Sequence, residues 1–417
     1  MLFNYLKIAI KVLQRRKFFT FISLFGISFT LLVLNVITSF LDSFISPGGP
    51  ETKLDRTLIL DNVMIYGNWG STSTDPSYYF LNRYLKPLKS AELVSIFSNS
   101  SNSNVINTYK GNEKIKTAFK YVDRQYWEIL DFDFLEGNAF SEDDVKSARQ
   151  IAVISKNYRK QFFNDQSPLG KFIEVEGTQY QVIGVVDDVS VARYRAFGDI
   201  YVPISTSKED FTKFSFHGNY QGMALAKPGI STEAVRNEFN NSMKYLQFPN
   251  PDHYDKIKVK LFTQMEQLAS MDGEISVSYS RTVLIALIFI TLFMLLPTIN
   301  LVNLNITRIM ERSSEIGIRK AFGATKLRLI GQFVTENIIL TLLGSVIAFI
   351  LTLLVVYLFN VSGFSPLGTG YIQLVFNTRV FFVSILIALF FGLLSGVYPA
   401  YRMSRLNPVE TLKGAQS

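Results

Sequence analysis

The chain reads as a membrane protein: four transmembrane α-helices, plus a large α+β extracytoplasmic domain inserted between spans 1 and 2. Three observations carry that reading. Four apolar stretches, about 18–40, 282–304, 337–359 and 380–401, are each long enough to cross the bilayer; a helix needs about 20 residues for roughly 30 Å of hydrocarbon. Some 240 largely polar residues lie between the first and second stretches. The excess of positive charge is confined to short segments beside the stretches, as topology requires of cytoplasmic loops.

The elements follow in order. In residues 1–17, Leu2, Leu6, Ile10 and Leu13 share one helical face while Lys7, Lys11 and Arg15 share another. This is the pattern of a basic amphipathic helix in the cytoplasmic headgroup layer, although a plain continuation of the first span fits the same residues. The 18–40 span is too long for a signal-peptide core and is expected to remain as an anchor. In the outer domain, 42–281, alternation of apolar and polar residues predicts strands at Leu58–Ile65, Ile115–Val122, Ile151–Ser155, Lys171–Val175, Tyr180–Val186, Ile200–Ile204 and Ile257–Leu261. Helices are expected at Ser90–Ser98 and Ser231–Leu246, and loops at Gly67–Ser77 and Ser98–Asn104. Residues 262–281 form a polar helical lead-in to span 2 (282–304), where Pro297 permits a kink. A cytoplasmic loop (305–336), span 3 (337–359), an outer loop (360–379), span 4 (380–401) and a cytoplasmic tail (402–417) complete the chain. Small residues at helical spacing, Gly26/Thr30, Gly344/Ala348 and Gly392/Gly396 with Ala388 one turn earlier, mark faces where helices approach closely in lipid.

The net charge of +8 invites a nucleic-acid reading, and its distribution argues against one. Residues 1–17, 308–328 and 402–417 together carry +11, whereas 42–281 holds 27 basic and 30 acidic residues. Both termini and the 308–328 loop are therefore placed in the cytoplasm, and the chain in the cell inner (cytoplasmic) membrane. Cysteine is absent, which excludes disulfides and thiolate metal sites. The two histidines, His217 and His253, have no partnered constellation in the sequence, so no catalytic, metal or cofactor residue is assigned. Glu336 is the one charge placed towards the interior of a span, too little for an ion-coupled pathway.

The 308–330 loop carries the sharpest signal. Glu315 and Arg319 form an i,i+4 pair with Arg312 one turn earlier, and Gly317 and Gly323 interrupt the helix. A helix, a bend near Phe322–Ala324 and a second helix follow. On these residues alone, a partner-binding element and a simple topological hairpin fit equally well.

The run Glu311-Arg312-x-x-Glu315-Ile316-Gly317-Ile318-Arg319-Lys320-Ala321-x-Gly323-Ala324 resembles the signature of FtsX/MacB-type ABC transporter permeases. Gly396-Val-Tyr398-Pro399-Ala400-x-Arg402-x-Ser404-Arg405-Leu406-Asn407-Pro408-Val409-Glu410 looks like the same family's closing motif. Tyr126-Trp-Glu-Ile-Leu130, Leu135-x-Gly137, Ile151–Ser155, Ser167-Pro-Leu-Gly-Lys171 and Tyr180-x-Val-Ile-Gly-Val-Val186 resemble the MacB-like periplasmic core domain. The resemblance implies a porter-like part split in sequence (42–115 and 222–280) around an inserted lobe (116–221). It also implies a second permease chain, as homo- or heterodimer, and a cytoplasmic ABC ATPase that receives the loop. Glu311, Glu315, Ile316, Gly317, Arg319, Lys320 and Gly323 would form the coupling element, and Gly344, Ala348, Gly392 and Gly396 the helix-packing faces. No Gly-x-x-x-x-Gly-Lys-[Ser/Thr] occurs, so ATP and Mg are expected on the partner ATPase, and the chain is not read as an enzyme. The implied output is export or extraction of a lipophilic or peptide substrate, with a periplasmic adaptor as further partner. The alternative is transmission of a signal to a cell-wall hydrolase.

Overall fold

The computed structural model describes residues 17–46, 48–68, 70–98, 105–111, 113–269, 325–366 and 369–404, with isolated positions at Arg15 and within 284–322. The chain forms two compact units. One comprises Met1–Asp42, Val283–Ser362 and Leu374–Ser417, and the other Ser43–Thr282 with Gly363–Gln373.

Helix α1 (Lys17–Ile45) delivers the chain into the second unit. There β1 (Thr57–Leu60), β2 (Val63–Gly67), β3 (Gly70–Pro76), α2 (Tyr78–Phe80, continued by the wider turn Leu81–Leu85) and β4 (Ala91–Ser98) follow. Next come β5 (Val105–Lys110), β6 (Glu113–Val122), α3 (Arg124–Ile129), β7 (Phe134–Gly137), α4 (Glu142–Lys146), β8 (Ile151–Ser155) and α5 (Lys156–Phe163). The remaining elements are β9 (Phe172–Val175), β10 (Thr178–Val186), β11 (Ile200–Pro203), β12 (His217–Gly218), β13 (Tyr220–Ala226), α6 (Thr232–Ser242), β14 (Lys256–Val259) and α7 (Gln264–Ala269). Most short helices start on a side chain that accepts an amide the first turn leaves unpaired. Ser77, Asp123, Ser141, Ser155 and Ser231 do so for α2, α3, α4, α5 and α6.

The large sheet has ten strands, ordered β1-β13-β4-β6-β11-β8-β10-β7, with β5 added on β6 and β9 on β10. β6–β11 and β8–β10 are parallel and the other pairings antiparallel. A second sheet runs β12-β3-β2-β14. Two apolar cores lie along the large sheet. One gathers residues from 58–96 and 204–261, including Leu60, Phe80, Leu85, Ile96, Phe216 and Phe239. The other gathers Phe119, Ile154, Tyr158, Val182, Ile200 and Val202 from 119–202. Burying each such side chain stabilises by about 1.5–3 kcal/mol. The seam between them is narrow: β4 and β6 share one register pair, Phe97 with Val122. Polar contacts reinforce it, since Asp123 accepts from the Ser95 hydroxyl at 2.7 Å and the Ile96 amide at 2.9 Å, and Ser98 Oγ from the Tyr121 amide at 2.9 Å.

Three local expectations are corrected. Ser90–Ser98 is not a helix but strand β4, buried on both faces between β13 and β6. The Lys89 and Ser90 amides are taken by Glu238 at 2.8 Å each, and Val94, Ile96 and Phe97 suit a sheet interior. Gly67–Ser77 is not a loop: after the Gly67–Gly70 turn, β3 pairs with β2, its polar residues suited to a solvated strand. Leu58–Ile65 is broken at Asp61–Asn62 into β1 and β2, which belong to different sheets.

In the first unit, α1, α8 (Lys326–Ser362) and α9 (Thr378–Ser404) pack around Ile27, Leu31, Leu34, Leu340, Ala348 and Ala388. Outward-facing Phe21, Phe25 and Phe29 stack along α1, and Ile350, Leu354, Leu358, Leu386 and Phe390 are also exposed. Ser28, Asn35, Thr341, Ser345, Thr352 and Ser384 are buried. An apolar exterior, with small polar side chains buried beside the apolar core, suits lipid as the solvent. Thr20–Ile45 and Ile330–Ser362 are long and apolar enough to span a bilayer, and Thr378–Phe390 is a shorter apolar run. Most of the expected helix at 1–17 and most of the 282–304 span lie outside the described residues.

Candidate functional site

The expected coupling residues Glu311, Glu315, Ile316, Gly317, Arg319, Lys320 and Gly323 lie outside the described residues. Of their loop, Ile318 and Phe322 are described, and both are exposed. The helix-packing residues are mostly described. A Cβ on Gly344 would come within 2.7 Å of Ile27 Cγ2, and one on Gly392 within 2.7 Å of Thr341 Oγ1. Ala348 is fully buried. Gly396 sits within α9, with its surroundings outside the described residues. Gly26 has open space around it, and its carbonyl accepts from Thr30 Oγ1 at 2.8 Å. Glu336 is buried and accepts from Gln332 Nε2 at 3.2 Å.

A dense polar constellation among the described residues of the outer unit brings together residues far apart in sequence. It is built on the connection from β10 to β11, residues 187–199. An irregular buried segment must find partners for its carbonyls, and neighbouring side chains supply them. Lys120 Nζ, from β6, donates to the Tyr194 carbonyl at 3.0 Å and to that of Arg195. Tyr126 Oη donates to the Arg195 carbonyl at 2.8 Å, and Tyr201 Oη to that of Ala196 at 2.7 Å. Lys120 is fully buried over the Phe97 and Tyr126 rings, and this desolvation holds its ammonium well below the usual lysine range.

Three chain segments that continue into the membrane helices meet this connection. At the exit of α1, Arg193 Nη1 donates to the Ser46 carbonyl at 2.9 Å and pairs with buried Glu51 at 3.1 Å. Ahead of the 282–304 stretch, Gln264 and Gln267 of α7 bond Arg195 and Tyr194, and Gln264 Nε2 also donates to the Phe44 carbonyl in the last turn of α1 at 2.7 Å. From the loop between α8 and α9, Thr369 Oγ1 donates to Asp199, the Gln373 amide to Ser190 Oγ at 3.0 Å, and the Val191 amide to the Tyr371 carbonyl at 3.0 Å. Gly370, at φ +65°, lies so close to Phe197 that a Cβ would approach its ring to 2.3 Å. Burial raises the carboxyls of Asp61 and Asp199.

Such an arrangement holds backbone segments in register and has no nucleophile–base pair. The one sequence cue to it is the pair of arginines around Tyr194 in an otherwise apolar run, Val191–Phe197. Separately, a groove of about 590 Å³ lies beside β5 and the β9–β10 turn, lined by Val105, Ile106, Tyr109, Glu174 and Glu176 among others.

Residues 20–242 match the family described as MacB-like periplasmic core domain, and residues 287–408 the family described as FtsX-like permease C-terminal. The uncharacterized ABC transporter permease YknZ of Bacillus subtilis is 23% identical over 334 residues, 80% of this chain and 79% of that protein. The macrolide export ATP-binding/permease protein MacB of Wolinella succinogenes is 23% identical over 416 residues, 99% of this chain and 61% of its own length. The pyoverdine export ATP-binding/permease protein PvdT of Pseudomonas syringae pv. syringae is 25% identical over 297 residues, 70% and 42% respectively. The chain thus spans less than two thirds of these two ATP-binding/permease relatives.

Proposed function

The chain belongs to the membrane-embedded ABC transporter permeases with a MacB-like periplasmic core and an FtsX-like C-terminal domain, and from that premise we propose that it converts ATP hydrolysis by a cytoplasmic partner into movement of its outer domain. The two family matches, in this order along the chain, carry the reading. No Gly-x-x-x-x-Gly-Lys-[Ser/Thr] occurs within these 417 residues, so the proposal assigns ATP hydrolysis to a cytoplasmic ABC ATPase that works with them. Two permease chains of four spans each would pair, with both termini inside. Residues 305–336 would contact the ATPase through Glu315, Ile316 and Gly317, and the segment 262–281 would act as the stalk. In the outer domain the porter-like part corresponds to 42–115 and 222–280 and the lobe to 116–221. Among the described residues the membrane helices bury small polar side chains and Glu336, which favours a mechanical relay over a conducting path. Export in the names of two relatives favours expulsion or extraction of a lipophilic or peptide substrate.

The test is the loop. Truncating a central interface contact commonly costs about 2 kcal/mol or more. Glu315→Ala with Ile316→Ala, or Gly317→Leu alone, should leave the chain inserted but lower co-purification of the ATPase at least tenfold and uncouple its hydrolysis from output. A normal complex with full activity would reduce the loop to a topological hairpin. An intact ATPase response with a cell-wall hydrolase as the partner outside would replace export by signalling.

A further inference from the structure

A mechanical role needs a point where movement of the stalk enters the outer domain, and the Arg195 network has the construction of one. Arg195 is 2% exposed and Asp61, in the turn between β1 and β2, is half-buried. They bear opposite charges, yet they are not an ion pair. The Tyr194 hydroxyl lies between them, 2.7 Å from Arg195 Nη2 and 3.4 Å from Asp61 Oδ2, so the two charges are no more than 6.1 Å apart. Two neutral amides of α7 take the positions the charges would give each other. Gln264 Oε1 accepts from Arg195 Nη1, and Gln267 Nε2 donates to Asp61 Oδ2 and, at 2.7 Å, to Tyr194 Oη. Arg195 Nε, buried, has no partner among the described residues.

An amide bonded to a charge satisfies it less fully than the opposite charge does at low dielectric. Withdrawing α7 alone would strand a buried guanidinium and a carboxylate, which low dielectric makes strongly unfavourable. Direct pairing of Arg195 with Asp61 would offset that loss. The same residues therefore support two satisfied arrangements, one with α7 docked and one with it released.

We infer that Asp61, Arg195 and the two α7 glutamines form a two-state latch, in which displacement of α7 exchanges two amide contacts for an Asp61–Arg195 ion pair and so passes stalk movement to the outer domain. The inference rests on the mechanical reading above. The latch spans the sheet's two cores, because Asp61 follows β1 on one side and Arg195 precedes β11 on the other. Gln264 extends it to the end of α1 through the Phe44 carbonyl.

The absence of cysteine allows spin labels at two introduced thiols in the full chain bound to its ATPase, on exposed Met265 of α7 and exposed Lys146 of α4. Addition of ATP with vanadate should populate a second distance in the wild-type background. Asp61→Asn keeps an oxygen for Gln267 and Tyr194 but cannot form the ion pair, so it should cut that second population at least tenfold. Asp61→Glu should restore it. Gln264→Leu with Gln267→Leu should show the second distance without nucleotide. An Asp61→Asn chain that responds as wild type does overturns the latch. A wild-type background with no nucleotide-dependent distance, in an intact complex, instead overturns the mechanical reading on which it rests.

Discussion

Arg193 shows how much of the outer unit depends on single charged contacts. Its side chain is 10% exposed and that of its partner Glu51 2%, and the guanidinium also holds the Ser46 carbonyl just beyond the last turn of α1. Gly48 lies directly beneath, where a Cβ would come within 2.8 Å of the guanidinium. Removing one member of a buried pair leaves the other charge uncompensated, whereas replacing both with apolar groups of similar volume often costs little. Arg193→Ala and Glu51→Ala should each destabilise the outer unit by about 3–5 kcal/mol, and the double change Arg193→Met with Glu51→Leu by clearly less than the two losses together. Denaturant unfolding of the detergent-solubilised chain, followed by tryptophan fluorescence, measures this; additive losses would deny the pair its coupling. No local pattern announces the pairing, because Arg193 and Glu51 stand 142 positions apart. The same holds for Arg195 with Asp61, and for Asp199 with Thr369, 170 positions away. Spacing rules report what shares a turn or a strand, and this network is made by topology.

Elements were legible where a single periodicity acts. Ile151–Ser155 is strand β8 with the expected bounds, and Ser231 caps the helix that follows it. Misreadings arose where tertiary context prevails. At Ser90–Ser98, where a helix was expected, the sheet neighbours of β4 and the carboxylate of Glu238 provide the partners for the backbone. Composition called 67–77 a loop because polar strands and loops share Gly, Ser and Thr. Among the helices, two glycines that look equivalent in sequence differ in surroundings. Gly344 faces Ile27 with no room for a methyl group, while Gly26 has none of the neighbouring atoms within 4 Å. In a helix interior Gly is about 1 kcal/mol less favourable than Ala. Gly26→Ala should therefore leave the thermal midpoint of the solubilised chain unchanged or raise it, while Gly344→Leu should lower it by separating α8 from α1. Equal effects from both substitutions would contradict the assigned packing face.

At the scale of the whole molecule, the outer unit is assembled from distant stretches, 43–282 and 363–373. One register pair joins its cores at Phe97 and Val122, and the 187–199 connection receives chain from three membrane-proximal segments. The decisive asymmetry is electrostatic, because short segments rich in Lys and Arg are retained in the cytoplasm while a domain of balanced charge is translocated. Residues 1–17, 308–328 and 402–417 carry +11 between them, and 42–281 carries −3. Since the chain has no cysteine, a thiol introduced at one position reports that position alone. Lys146, 70% exposed on α4, and Ser417 at the end of the tail are suitable sites on the two sides. A membrane-impermeant maleimide applied to spheroplasts should label Lys146→Cys at once, and Ser417→Cys only after the membrane is broken. Reversed labelling would invert the topology, place 305–336 outside and remove any ATP-driven partner from its reach.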